Sequence, residues 1–327
     1  MFDLRIINAV ITRIAWLLLF ALVLSGPVAA ASSAADDSSV TSGFGLRIDS
    51  RETQGQVAAA FVMPDAVLTL HAQGAAENAR LTLETGGHGV IETAQAQGWT
   101  WRAPATPGLY TLTIHDAERR ARLRLNVFVK TPFDNTRDTL DEYRIGGYVP
   151  EPRPGDAASA PPPGLVQVTP ENRDTRISPH FTLGQFLCHQ QPDHWPKYVL
   201  VRPLLLDKLE RLHSALVAAG VTAPSITVMS GFRTPWYNAD IGNTTVYSQH
   251  LFGSAADIFV DADGDDRMDD LNGDGTIDSA DARWLADLVE TITAETPALQ
   301  GGLSVYPANS RHGPFVHIDV RGVPARW

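Results

Sequence analysis

The sequence predicts two domains: an N-terminal all-β sandwich and a C-terminal α+β domain built on a small antiparallel sheet. Three observations carry this reading. Between residues 44 and 132, short apolar runs recur between turn residues, and no helical pattern of comparable length interrupts them. From 148 to 176, prolines crowd the chain. From 177 to 327, a strong helical period gives way to short apolar strands. A chain of 327 residues accommodates about two domains of ordinary size.

In the first region, Ala58–Val62, Ala66–His71, Ala79–Leu83, Leu109–Ile114 and Ala121–Val129 read as strands. In the last of these, Leu123, Leu125, Val127 and Val129 alternate with Arg122, Arg124, Asn126 and Phe128. That period of two predicts one buried face and one mostly wet face. The stretch from Trp101 to Tyr110, with its Pro107-Gly108-Leu109-Tyr110 corner, resembles the late-strand corner of bacterial immunoglobulin-like domains. His71, His88 and His115 stand singly and read as surface or strand histidines.

The stretch 148–176, with Pro150, Pro152, Pro154 and Pro161-Pro162-Pro163, reads as a semi-rigid linker that marks the domain boundary. The second domain, 177–327, opens with Thr182 as a cap for a short helix through Phe186 and Leu187. Pro203 then starts a longer helix, with Leu205, Leu209, Leu212 and Leu216 on one face and Gly220 as its stop. His213 falls on its rim. Ile226–Met229 is a strand running into Ser230-Gly231-Phe232-Arg233. Arg233 suits either a substrate carboxylate or carbonyl or a structural ion pair.

The centre of this domain is Ser248-Gln249-His250-Leu251-Phe252-Gly253-Ser254-Ala255-Ala256-Asp257. It offers an imidazole and a carboxylate seven residues apart, with Gly253 turning the chain between them. A second imidazole, His317, lies in the strand Phe315–Val320. Two His and one carboxylate leave a fourth position open on a tetrahedral zinc, the pattern of a catalytic site. In the last strand Phe315, His317 and Asp319 share one face, so Asp319 suits a supporting partner for His317.

Between these strands the insertion 261–281 is strongly acidic. Asp270, Asn272, Asp274, Thr276, Asp278 and Asp281 match the ligand positions of a calcium loop, with Gly275 at the sharp turn and Ile277 as the apolar anchor. Its closing acid is Asp, as in dockerin-type loops. Asp261, Asp263, Asp265 and Asp269 imitate a second loop, but Asp266 stands where glycine is expected. A helix follows, with Trp284, Leu285, Leu288, Val289 and Ile292 on its buried face.

Composition excludes several function classes. The net charge of −11 argues against a surface for phosphate backbones, hence no nucleic acid partner. One cysteine, Cys188, rules out an internal disulfide framework or a thiolate cluster, and it reads as a small buried hydrophobe. At the N-terminus, Arg5 and Arg13 give a positive region before an apolar stretch, Ile14–Val23, that Gly26-Pro27 ends before the small residues Val28-Ala29-Ala30. Residues 1–30 therefore read as a secretory signal peptide, with no stable membrane span after its removal. The expected location is periplasmic or secreted, associated with the cell envelope.

Three motifs of the second domain together resemble the zinc D-alanyl-D-alanine carboxypeptidases and murein endopeptidases, which share the hedgehog/D-Ala-D-Ala peptidase fold. They are Ser230-Gly231-Phe232-Arg233, the pattern Ser248-x-His250-x-x-Gly253-x-Ala255-x-Asp257, and Phe315-Val316-His317-Ile318-Asp319. The resemblance covers roughly 178–327. It implies His250, Asp257 and His317 as zinc ligands and Arg233 as a group that binds the substrate backbone or the developing oxyanion. It further implies a peptidase acting on peptidoglycan stem or cross-link peptides. Ser248, Trp236 and Tyr237 are candidates for substrate contact. The relatives place a general base two or three residues before the last His, where this chain has Phe315 and Pro314. Asp319 and His312 are the remaining candidates for that base. Without one, the domain would bind peptidoglycan, or act as an envelope scaffold, without cutting.

Overall fold

The computed structural model describes residues 43–327 apart from Gln54, and these form one compact unit. The expected signal peptide 1–30 lies outside the described residues. Among those described, no helix is long and apolar enough to cross a membrane.

The chain is mostly β-structure. Its first nine strands are β1 (Gly45–Ile48), β2 (Arg51–Thr53), β3 (Val57–Val62), β4 (Val67–Gln73), β5 (Leu81–Glu84), β6 (Val90–Gln95), β7 (Gly98–Arg102), β8 (Gly108–Asp116) and β9 (Ala121–Val129). They form two sheets, in the orders β2-β1-β4-β7-β6 and β3-β9-β8-β5. Leu46, Leu70 and Trp101 of the first sheet meet Ile114, Leu123 and Leu125 of the second in one buried apolar cluster. All five expected strands are present. β1, β2, β6 and β7 are additional, and β6 is exposed along its whole length, so it carries no alternating apolar signal.

The expectation of a wet outer face on β9 fails at its C-terminal end. Asn126 and Phe128 are buried as well as Leu125, Val127 and Val129. Phe128 stacks on Phe61 at 5.4 Å and joins the core of the second half. Asn126 donates through Nδ2 to the Arg176 carbonyl at 2.8 Å. Arg51 adds a bridge to Asp207 at 2.9 Å.

The stretch 148–176 is correspondingly not a free spacer. After β10 (Thr131–Pro132), β11 (Thr139–Leu140) and β12 (Tyr143–Arg144), strand β13 (Gly164–Val168) pairs with β10 and with β14 (Lys197–Val199). Leu165, Val166 and Val168 are buried. An apolar run directly after three prolines has more to gain from burial than from extension into water.

The second half is organised by the sheet β15-β16-β18-β17-β19, comprising β15 (Ile226–Ser230), β16 (Ala255–Val260), β17 (Gly302–Tyr306), β18 (Phe315–Asp319) and β19 (Ala325–Arg326). Helix α3 (Ser279–Glu295) packs on it, α1 (Pro203–Ala218) packs against α3 and reaches β18 through Lys208, and a short α2 (Pro235–Asp240) follows β15. Leu205, Leu209, Leu212 and Leu216 of α1 are all fully buried, as their spacing predicts. Gly220 follows the C-cap at φ +93°, and the Val221 amide donates back to Leu216 O at 3.0 Å, which closes the helix end.

Candidate metal centre

Three chain segments that are distant in sequence converge at one end of the second sheet. His250 sits in the 3-10 turn Gln249–Phe252, which Gly253 ends at φ +63°. A Cβ at Gly253 would lie 2.5 Å from the Leu200 carbonyl, so only glycine makes this turn here. Asp257 lies in β16, paired with Ser230 on one side and His317 of β18 on the other. The register sets Asp257 and His317 directly opposite one another, where cross-strand side chains meet.

His250, Asp257 and His317 are all buried. His250 Nε2 lies 3.2 Å from His317 Nδ1 and 3.3 Å from Asp257 Oδ1, and His317 Nδ1 lies 2.8 Å from Asp257 Oδ1. The outward atoms are held by other groups. His250 Nδ1 donates to the Gly231 carbonyl at 2.7 Å, which leaves the lone pair of Nε2 facing inward. His317 Nε2 faces Asp319 Oδ2 at 3.3 Å. Asp257 Oδ2 accepts from the Arg233 guanidinium, and Arg233 Nε donates to Ser230 Oγ at 2.9 Å. These three atoms therefore converge on one buried space, where His317 Nδ1 donates to Asp257 Oδ1 and a cation would take the place of that proton. Tetrahedral ligation at about 2.0–2.1 Å spaces ligand atoms about 3.3 Å apart, close to what is seen. The group could hold a metal ion.

Burial disfavours charge on Asp257, yet the imidazoles of His250 and His317 hold its carboxyl far below the usual carboxylate range. Burial pushes His250 down. Burial also opposes charge on His317, but hydrogen bonds to Asp257 and Asp319 overcome it and raise this imidazole.

The triad forms part of a cleft of ≈ 740 Å³. Ser248, Arg233 and His312 line it, as the sequence suggests. Trp236 and Tyr237 do not. Trp236 packs under the Arg144 guanidinium at 4.4 Å, and Tyr237 lies against the apolar core. The first turn of α2 points them away from the metal group, a direction that spacing alone does not reveal. The aromatic walls are instead Tyr247, Tyr306, Phe315 and Trp327. Tyr306 and Phe315 stack at 4.6 Å, and Trp327 covers the His317 ring at 5.1 Å while its Nε1 donates to Tyr306 Oη at 2.8 Å.

Asp319, one candidate base, is excluded from the cleft. It is fully buried behind His317, and its carboxylate accepts from the Gly302 amide at 2.7 Å and from Arg321 Nε at 2.9 and 3.0 Å. Burial opposes its charge, but His317 and Arg321 keep it ionised. It is a positioning group for His317. Arg321 lies in the bend just beyond β18, where its own amide also donates to Asp319 Oδ1 at 3.1 Å, a contact that strand spacing does not announce. His312 does reach the cleft wall. Its Nδ1 donates to Gly313 O at 2.8 Å and its Nε2 lies 2.7 Å from Asn309 Nδ2.

In the acidic insertion, Asp270 Oδ1 and Oδ2 accept from the amides of Gly273 and Gly275, at 2.8 and 2.7 Å. Asp278 caps α3, and the fully buried Asp281 accepts from Leu271, Asn272 and Asp278 amides. The first loop repeats this architecture. Asp261 Oδ1 and Oδ2 accept from the amides of Gly264 and Asp266, at 2.7 and 3.0 Å. Asp266 takes φ +62°, the conformation expected of glycine, so its side chain does not break the loop. Among the described residues it is Asp261, Asp263 and Asp265, rather than the acids of the better sequence match, that bring three carboxylates within 4.8 Å of each other. Acids of both loops also accept from backbone amides, Asp278 and Asp281 in the second as Asp261 does in the first.

No protein-family model, curated protein or solved structure matches this chain.

Proposed function

We propose that this chain is a zinc-dependent peptidase of the cell envelope that hydrolyses stem or cross-link peptides of peptidoglycan. One observation carries the reading: His250, Asp257 and His317 bring one potential ligand atom each to a common point at the side of a cleft large enough for a short peptide. Two imidazoles and one carboxylate are zinc ligands of the open, catalytic kind. Bound zinc supplies a Lewis acid and makes a water acidic enough to attack a peptide carbonyl near neutral pH. The protein groups then have separate tasks. Gly231 O and Asp319 orient the two imidazoles. Arg233 orients Asp257 and faces the cleft, where its remaining N–H groups can donate to the carbonyl oxygen as charge develops on it. His312 is the imidazole on the wall that is not a ligand, and it is the group assigned to accept and return the proton.

The first two sheets are read as an immunoglobulin-like sandwich. Tyr110 Oη donates to Thr106 O at 2.9 Å, the corner contact such sandwiches use. The acidic insertion is read as a calcium-bound brace between two ligand-bearing strands, with Asp270, Asn272, Asp274, Thr276, Asp278 and Asp281 as one ligand set and Asp261, Asp263 and Asp265 as the start of another. The residues 1–30 support delivery across the cytoplasmic membrane.

A second reading is favoured by the shielding of Asp319 and by the engagement of both His312 ring nitrogens: a domain that binds peptidoglycan without cutting it. Digestion of purified peptidoglycan separates the two. With zinc, the mature chain is expected to release peptide fragments identifiable by mass, and the His250→Ala variant is expected to release none. Stoichiometric zinc with no released fragment would sink the peptidase reading and leave the binding one.

A further inference from the structure

We propose that Arg153 is a specificity-determining residue that binds a carboxylate of the peptide held in the cleft; the proposal rests on the peptidase reading above for the class of its ligand. Although the whole chain carries a net charge of −11, Asp257 is the only acidic side chain lining the cleft among the described residues, beside Arg153, Arg233 and Arg321. Two of these arginines are already paired, Arg233 with Asp257 and Arg321 with Asp319. Arg153 has no carboxylate partner among the described residues. It is an uncompensated guanidinium facing a peptide-sized space, and its planar fork matches a carboxylate.

The backbone at Arg153 is also held in place. Its amide donates to Ser159 Oγ at 2.7 Å, and Ser159 is buried and donates in turn to Asp156 O at 2.7 Å. The Asp156 amide closes the turn on Arg153 O at 2.8 Å. Asp156 Oδ2 accepts from Gln249 Nε2 at 3.3 Å, and Tyr247 Oη donates to Glu151 O at 3.1 Å. The proline-rich stretch is thereby fastened to the loop that carries His250 and forms a wall of the cleft. The wall thus fixes where the Arg153 side chain leaves the backbone, and its exposed guanidinium has no competing partner among the described residues to give up on binding.

A carboxylate of a stem peptide comes from its C-terminus or from its internal γ-linked glutamyl residue. The test uses metal-stripped full-length mature chain, which binds without turnover. The probe is the pentapeptide L-Ala-γ-D-Glu-L-Lys-D-Ala-D-Ala in three forms: unmodified, C-terminally amidated, and amidated on the glutamyl carboxylate. Affinities are measured by calorimetry for the parent, Arg153→Gln and Arg153→Lys. One amidation is expected to weaken binding to the parent about tenfold, as befits one charge-assisted contact, and the amidation that does so names the carboxylate. In Arg153→Gln that ratio is expected to fall to about one, and Arg153→Lys is expected to keep part of it. A ratio near one in the parent, a ratio that survives Arg153→Gln, or no binding of any form overturns the proposal. Peptidoglycan cleavage by the zinc-loaded parent is scored separately. Cleavage with an unchanged ratio defeats the Arg153 assignment alone, and a collapsed ratio without cleavage defeats the peptidase reading alone.

Discussion

His317 Nε2 lies 3.3 Å from Asp319 Oδ2, on the side of the ring away from Asp257. The two residues belong to one strand and are separated by Ile318, so the strand period alone places them together. Asp319 is itself gripped by Gly302 N and Arg321. The imidazole is thus presented to the cleft by a carboxylate that solvent does not reach.

It follows that Asp319→Asn keeps the shape of this support and removes its charge. Affinity for zinc is expected to fall about 10- to 100-fold, the usual effect of losing a carboxylate behind a ligating imidazole. Competition against a chelating dye measures this directly, and an unchanged affinity would show that Asp319 supports the strand only.

Gly301 sits against the same strand. A Cβ there would lie 2.0 Å from the Asp319 carbonyl oxygen, a backbone atom that cannot swing aside. Gly301→Ala is expected to destabilise the fold by about 1–3 kcal/mol, as overpacking does. Gly313, where a Cβ would meet nothing within 4 Å, provides the control. Gly313→Ala is expected to stay within about 0.5 kcal/mol of the parent in the same urea titration.

Lys208 is buried in α1 and donates from Nζ to that same Asp319 carbonyl at 2.9 Å. Burial pushes its ammonium down to about 8. The unfolded side chain keeps its proton up to about 10.4, so between these values the unfolded chain binds more protons than the folded one. Stability therefore gains from this group as pH rises across that window, by up to about 1.4 kcal/mol per pH unit. Lys208→Met abolishes the contribution. Unfolding free energies from pH 7.5 to 9.5 should rise for the parent relative to the variant, and parallel curves would contradict this account.

The acidic insertion should respond to calcium. Saturating calcium is expected to raise the unfolding free energy by about 3 kcal/mol for each bound ion when the free ion exceeds its dissociation constant a hundredfold, and chelation should reverse it. Asp261→Asn and Asp270→Asn are each expected to remove one bound ion in equilibrium dialysis. Full retention of both ions in either variant would defeat the corresponding loop.

Much of this was legible along the chain. The four leucines of α1 reported a buried helix face because one helix period brings them together. Gly253, His250 and Asp257 were readable as a unit because a turn and one strand connect them within eight residues. The residue types of the buried cluster and the place of Asp319 beside His317 are likewise local facts, written at short range. Asp266 was misleading only because residue identity does not disclose the φ a neighbouring network can impose.

What the tertiary structure alone decided lies at long range. Asp257 and His317 are 60 residues apart, and strand register, not spacing, sets them 2.8 Å from one another. The inner and outer faces of β9 are both buried because the second half of the chain covers the outer one, which no alternation pattern within β9 records. The proline-rich stretch looked like a spacer by composition. It became a cleft wall because Ser159, Asp156 and Glu151 found partners about a hundred residues downstream, or within their own turn. Local sequence specifies which side chains carry chemistry. Non-local packing specifies which of them share a cavity, because that depends on pairings whose two halves never appear in one window of the chain.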